Sequence, residues 1–212
     1  STQGVSSAAS DVYKRQQNSN FLAKHNFHVN DLEGYLFPDT YKFTQQMEPQ
    51  SMVQAMIGRF NQVWTEKLQA RAAELDMSVH QIMTLASVIE KETGDPQERG
   101  LISGVFHNRL RKKIPLQSDP TVIYGLTHFD GNLSKEDLTV DSPYNTYRFR
   151  GLPPGPIASP GEASIRAALY PIPTNYLYFV SRNDGSHQFS TTLAEHNLAV
   201  KKYQLQRRRR SS

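Results

Sequence analysis

One carboxyl stands out among the side chains able to do acid–base chemistry. The stretch Leu85-Ala86-Ser87-Val88-Ile89-Glu90-Lys91-Glu92-Thr93 reads as the last turns of a helix that starts near Ser78. Ser78 and Gln81 have the spacing of a capping box, and Gly94-Asp95-Pro96 is a stop signal. At about 100° per residue, Ile82, Leu85, Ala86 and Ile89 share one stripe with Val88 beside it. His80, Thr84, Ser87 and Lys91 face the other way. Glu92 falls on the apolar stripe, and Glu90 lies about 200° away around the helix. Desolvation and the negative end of the helix dipole both raise the pKa of a carboxyl placed there. A Glu protonated near neutral pH is what a general acid requires. The competing reading is that Glu92 pairs with a buried Arg, such as Arg109 or Arg99, and the wheel alone leaves both open.

Other chemistries lack their residues. The seven His are scattered without HExxH spacing, so no metal is expected. There is no Gly-rich phosphate loop and no GxSxG elbow, and no cofactor is expected. With no Cys, disulfides, thiolate-bound zinc and a thiol nucleophile are excluded. What remains beside Glu92 is a set of loops rich in Tyr, Asn, Gln, Asp and Pro. Aromatic faces, amides and carboxylates suit a carbohydrate groove, because a sugar shows both apolar faces and hydroxyl edges. Tyr124, Tyr144, Tyr147 and Phe149 are candidate stacking platforms, with half-buried packing as the competing reading for each ring. Two carboxyls are the usual requirement for glycoside hydrolysis. Glu90 faces away from Glu92, which leaves Asp119 as the only other candidate. A single Glu suffices if the sugar supplies its own nucleophile, as when the C6 hydroxyl of N-acetylmuramic acid (MurNAc) attacks C1 of the same ring.

The elements that must position these groups belong to one domain of α+β class, mostly helical, with one β-hairpin and long Pro/Gly-rich loops. The 212 residues are enough for a real core, and 37% hydrophobic with 21% charged residues is a globular composition. The formal charge of +4 comes from Arg207 to Arg210. Without that basic tail (204–212) the body is neutral, so nucleic acid is not an expected partner. Residues 1–30 read as disordered, as a cloning scar or as the remnant of a preceding subdomain, and 31–203 as the functional domain. Ser51 to Leu75 reads as one long amphipathic helix. Asp95-Pro96-Gln97-Glu98 signals another helix start, carrying Leu101, Ile102, Val105, Phe106 and Leu110. Its Gly100 and Gly104 would admit a second backbone, and His107, Asn108 and Arg109 end it, either as a polar C-terminal turn or, for Asn108 and Arg109, as part of a cleft wall. Leu116 to Gly125 is a loop entering a short helix, and 126–142 a polar excursion. Tyr144 to Pro156 is a stiff, shaped loop. Ser159-Pro160-Gly161-Glu162 opens a helix that runs through Leu169, and Tyr176–Val180 and His187–Ser190 pair through Asn183-Asp184-Gly185. Thr192 and Glu195 cap a final helix. No run is apolar enough to span a bilayer and no signal peptide is visible. The chain is therefore expected to be cytosolic, or a soluble fragment of a targeted protein.

Several of these stretches, in this order, resemble the MltG/YceG-like endolytic murein transglycosylase family. They are Leu85 to Thr93, Val105-Phe106-His107-Asn108-Arg109-Leu110, Leu116 to Gly125, Tyr144-Asn145-Thr146-Tyr147, Gly151-Leu152-Pro153-Pro154-Gly155-Pro156-Ile157-Ala158 and the hairpin ending at Phe189. The resemblance covers roughly residues 31–203. It implies a lysozyme-like Glu-bearing helical core and an endolytic lyase that cuts β-1,4 MurNAc–GlcNAc bonds within nascent peptidoglycan. The products would carry 1,6-anhydro-MurNAc ends, and the cut would terminate glycan elongation. The family's catalytic Glu corresponds to Glu92, the residue the helical wheel selects. Asn108, Arg109, Gln117, Asp119, Tyr124, Asn145, Thr146, Tyr147, Gly151, Pro153 and Pro154 would bind substrate. The resemblance further implies an inner-membrane protein with its catalytic domain in the periplasm, working beside peptidoglycan synthases. A transmembrane helix and a LysM-like subdomain would belong to the full-length parent rather than to these residues. The Arg tail has no counterpart in this picture. Two other readings remain. One is an inverting muramidase-type hydrolase using Glu92 and Asp119, and the other is a non-catalytic peptidoglycan-binding module.

Overall fold

The computed structural model describes residues 32–44 and 46–205. The readings made for residues 1–30 and for Arg207 to Arg210 lie outside the described residues. Among the described residues there are seven α-helices and one two-stranded antiparallel sheet, so the class is α+β.

A helix buried on every side runs through the centre. The capping box forms as read, Ser78 accepting from the Gln81 N–H and Gln81 from the Ser78 N–H. Three helices come in order: α1 (Pro49–Val63), α2 (Glu66–Glu74) and the central α3 (Val79–Glu92). Residues Ile82 through Ile89 are all buried. Thr84 and Ser87, expected on the outer face, are in fact 1% and 0% exposed. Their hydroxyls make this tolerable, donating to the carbonyls of His80 and Thr84 at 2.7 Å. Ser87 Oγ also accepts the Ile157 N–H at 3.0 Å. The Pro-rich loop thereby covers what looked like the solvent face of α3, with its buried polar groups paired.

The long helix expected over Ser51 to Leu75 is two helices. The chain leaves helical geometry at Trp64, and Thr65 caps α2 by accepting from the Leu68 N–H. The next helix, α4 (Arg99–Arg111), starts later than Asp95. Asp95 caps only a local turn, accepting from Gln97. Glu98 does not close a box, because both its oxygens are taken by the backbone N–H and the ring Nδ1 of His187, at 2.8 and 2.6 Å. Gly104 does admit a second backbone. A Cβ there would stand 2.5 Å from the Ile172 carbonyl oxygen, and Ile172 N–H donates to Gly100 O at 3.0 Å.

The remaining elements are α5 (Asp119–Gly125), α6 (Glu162–Leu169), β1 (Tyr178–Ser181), β2 (His187–Ser190) and α7 (Leu193–Val200), which runs on into a short π-helical turn, Lys201–Leu205. α3 packs chiefly on α6. The strands pair Tyr178 with Ser190 and Ser181 with His187. α7 carries the expected Thr192/Glu195 capping box and lies along the hairpin. Among the described residues no helix is long and apolar enough to cross a membrane.

Candidate active site

Glu92 is the last residue of α3 and opens into a cleft of about 490 Å³. Neither Arg considered as its ion-pair partner takes that role. Arg99 lies 3.9 Å from Glu90. Arg109 directs Nε to the Leu177 carbonyl at 2.6 Å and Nη1 to the carbonyls of Pro115 and Leu116 at 3.1 and 2.8 Å and to Gln117 Oε1 at 3.4 Å. Glu90, on the other side of the helix, accepts the Gly161 N–H at 3.2 Å and so fastens the start of α6.

The partner of Glu92 is the hydroxyl of Ser118, which donates to Oε1. Sequence reading passed over Ser118. It lies within the Leu116 to Gly125 stretch, but its position just before the Asp119-Pro120 helix start is one where a Ser is expected to cap its own helix. Here the hydroxyl makes no cap bond and turns to Glu92 instead. The loop that aims it is tightly specified. Gln117 sits at φ 51°, a left-handed conformation uncommon outside glycine. Gln117 and Ser118 N–H groups donate to Thr146 O and Oγ1 at 3.1 and 3.0 Å. Thr121 Oγ1 then bridges Ser118 O and Thr146 Oγ1 at 2.7 and 2.8 Å.

Electrostatics favour the protonated acid. The Glu92 pKa is pushed up from 4.5 to about 7, first by burial, with the nearby charge of Asp119 adding to it. The Ser118 hydrogen bond and the charge of Arg109 work the other way without cancelling it. Asp119 lies in the same cleft and accepts the Tyr147 hydroxyl at 2.5 Å. Burial and this bond to Asp119 both raise the Tyr147 pKa, keeping it a neutral donor.

The structure thus gathers Glu92, Arg109, Gln117, Asp119 and Tyr147 around one cleft. The other expected site residues stand elsewhere. Asn145 and Thr146 are buried beneath it, at 0% and 2% exposure. Asn145 ties its loop by donating to Leu138 O and Val140 O at 3.1 and 2.8 Å, and it accepts the Tyr147 N–H at 3.0 Å. Asn108 donates to the carbonyls of Thr174 and Tyr176, behind the hairpin. Tyr124 packs on Tyr144 with ring centroids 4.8 Å apart. Gly151, Pro153 and Pro154 line a different cavity, of about 700 Å³, beside His80, whose Nε2 lies 2.8 Å from Pro154 O. That cavity is at the N-terminal end of α3, about 18 Å along the helix from Glu92.

A further wall of the cleft went unread in the sequence. Tyr178 and Val180 of β1, and Leu193, His196, Asn197 and Val200 of α7, all line it. Among the described residues no three His, Asp or Glu side chains converge as a metal site would need.

The sequence profile of the YceG-like family matches residues 3–202. Over 173 residues the chain is 45% identical to the endolytic murein transglycosylase of Bacillus subtilis (strain 168), covering 81% of this chain and 48% of that protein. It is 32% identical over 175 residues to the protein of the same name from Streptococcus pneumoniae serotype 2, covering 80% of this chain and 32% of that one. The chain therefore spans about half, or less, of the length of these curated relatives. A crystal structure of a YceG-like protein from Listeria monocytogenes superposes with a TM-score of 0.80 at 39% identity, covering 90% of this chain and 67% of that one. A profile match over nearly the whole sequence and a close structural match at this identity lead to one assignment: the chain belongs to the YceG-like family.

Proposed function

We propose that this chain is the catalytic region of an endolytic murein transglycosylase, with Glu92 acting first as acid and then as base. One observation carries the reading. Glu92 is a carboxyl with no ion-pair partner among the described residues, held in a cleft by a hydroxyl and protonated up to about pH 7. Glu92 gives its proton to the glycosidic oxygen as the bond from MurNAc C1 to that oxygen breaks. The C6 hydroxyl of the same MurNAc attacks C1, closes a 1,6-anhydro ring and returns its proton to the Glu92 carboxylate. One bond breaks, one forms, the proton is restored and no water is consumed. The raised pKa suits both half-steps, since an acid titrating near the working pH gives and takes a proton with comparable ease. Asp119, held by Tyr147, supplies negative charge toward the developing oxocarbenium ion.

Arg109, Gln117, Asp119 and Tyr147 would contact the sugar directly. Asn108, Asn145 and Thr146 would hold the walls in place. Tyr124 and the Gly151, Pro153 and Pro154 loop would serve more distant parts of a long strand. The name shared by the Bacillus and Streptococcus relatives supports murein as substrate. The Glu-bearing helix is in keeping with a lysozyme-like core. Attachment to the inner membrane, a periplasmic catalytic face, peptidoglycan synthases as partners and termination of glycan elongation belong to the same proposal for the whole protein.

One observation favours a second reading. Asp119 shares the cleft and raises the Glu92 pKa, so a hydrolase with the pair as acid and base is the runner-up. It would need the two carboxyls about 6.5–9.5 Å apart with a water between them. The test is incubation of uncross-linked glycan strands with this chain and with Glu92→Gln. Internal cleavage by the first and none by the second is expected. Full activity of Glu92→Gln would remove Glu92 from the mechanism.

A further inference from the structure

The wall that α7 contributes to the cleft carries a polar atom without a hydrogen-bond partner among the described residues. Leu193, His196, Asn197 and Val200 recur at i, i+3, i+4 and i+7, so one stripe of α7 is turned toward the cleft. On a core-facing stripe these side chains would be covered, yet Leu193 is 56% exposed. The helix is fixed at both ends. The capping box holds its start. Past its end, Asn183 Nδ2 donates to Tyr203 O at 2.9 Å and Gln204 Nε2 to Ser181 O at 2.8 Å, tying the following turn to the hairpin.

Within that stripe the His196 ring is held in one plane. It stacks on Tyr178 with centroids 5.2 Å apart and planes 25° apart. The Arg109 guanidinium stands 5.2 Å from the same Tyr178 ring. His196 Nδ1 is buried and has no hydrogen-bond partner among the described residues. No other polar group among the described residues bonds the ring. A neutral imidazole placed this way must bury either a lone pair or an N–H at Nδ1. Orphaned buried N–H groups are the rarer case, so the proton belongs on Nε2. Burial, followed by the charge of Arg109, holds the His196 pKa below the usual histidine range, so the ring is neutral at pH 7 with a single N–H.

We propose that His196 is a substrate-binding residue whose Nε2–H donates a hydrogen bond to a neutral oxygen of the sugar chain in the cleft. The inference rests on the glycan-cleaving reading above. It adds that α7, after the hairpin, forms one side of the binding groove with an apolar rim at Leu193 and Val200. A neutral donor suits a hydroxyl or acetamido oxygen. It would discriminate against a strand in which that oxygen is missing, because bound sugar would then cover the Nε2–H without giving it an acceptor.

The test separates this inference from the one beneath it. Binding of uncross-linked GlcNAc–MurNAc strands is measured by calorimetry in the Glu92→Gln background, where no turnover intervenes, with His, Phe or Gln at position 196. Phe preserves the stack on Tyr178 and lacks the donor, whereas Gln places an amide near Nε2. The expected result is about tenfold weaker binding for His196→Phe and within about threefold of the parent for His196→Gln. With Glu92 intact, the Phe variant should lose its efficiency through KM more than kcat. Equal affinity of the His and Phe forms would overturn the inference and leave the proposed function untouched. Equal weakening by Phe and Gln would also overturn it, reducing His196 to a shape-filling ring. Strand binding by none of the three would overturn the glycan reading and this inference together.

Discussion

Replacing Glu92 by Gln separates a catalytic carboxyl from a structural one, because the two roles predict opposite changes in stability. The folded-state pKa of Glu92 is raised from 4.5 to about 7. The protonated acid is therefore the form the fold prefers. The sign follows directly. Below pH 4.5 Glu92 is protonated in both folded and unfolded chains and costs nothing. As pH rises through 7 the unfolded chain has already ionised, and the fold must either hold a proton or bury a charge, so stability is lost. A rise of this size corresponds to about 3 kcal/mol, or about 2 kcal/mol once contact with solvent in the open cleft is allowed for. Gln keeps the volume and still accepts the Ser118 hydroxyl, but has no charge to bury. Thermal melts at pH 4.5 and pH 8 should show Glu92→Gln close to the parent at the lower pH. At the higher pH it should be more stable by about 2 kcal/mol, roughly 4–8 °C in Tm. Strand cleavage should fall by about 10²–10⁴-fold at both. A Gln variant less stable than the parent at pH 8 would mark Glu92 as half of an ion pair and refute the reasoning.

Three further outcomes follow from the same geometry. Ser118→Ala removes the hydrogen bond that favours ionised Glu92, so the alkaline limb of the kcat/KM profile should move to higher pH while the maximal rate falls. Asp119→Asn removes the charge that disfavours ionised Glu92, and the same limb should move to lower pH, read in the same assay. Asn145→Ala strips the Leu138 and Val140 carbonyls and the Tyr147 N–H of their buried partner. It should cost about 2–4 kcal/mol in urea unfolding, and strand cleavage should drop because Tyr147 and Asp119 lose their alignment.

What could be read from the sequence tracks how local each determinant is. The Glu-bearing helix was legible because its signals lie within it, in the Ser78/Gln81 cap and the 3.6-residue stripe that ends on Glu92. The hairpin turn at Asn183-Asp184-Gly185 and the Thr192/Glu195 cap were legible for the same reason. The break at Trp64–Thr65 was not, since a single Thr inside an amphipathic run is tolerated in many helices. The burial of Thr84 and Ser87 depends on the loop at Ile157, 70 residues from Ser87. The wheel cannot know that such a loop will cover a polar face. Ser118 reaches Glu92 across 26 residues, and its own position in sequence argued for a helix cap. The α7 wall was invisible in the same way, because nothing local says which side of the hairpin a following helix will take. The Pro-rich loop was read as part of the groove from its composition and from the family resemblance. In the structure it crosses α3 near His80, at the end away from Glu92.

Water consumption is the most direct test of the mechanism, since Glu92 is argued to act on a nucleophile supplied by the sugar itself. Strands cleaved by this chain in water enriched with heavy oxygen should give fragments that carry none of the label and weigh one water less than hydrolysis products. One labelled oxygen at each newly formed reducing end would contradict the account and make Glu92 and Asp119 a hydrolytic pair.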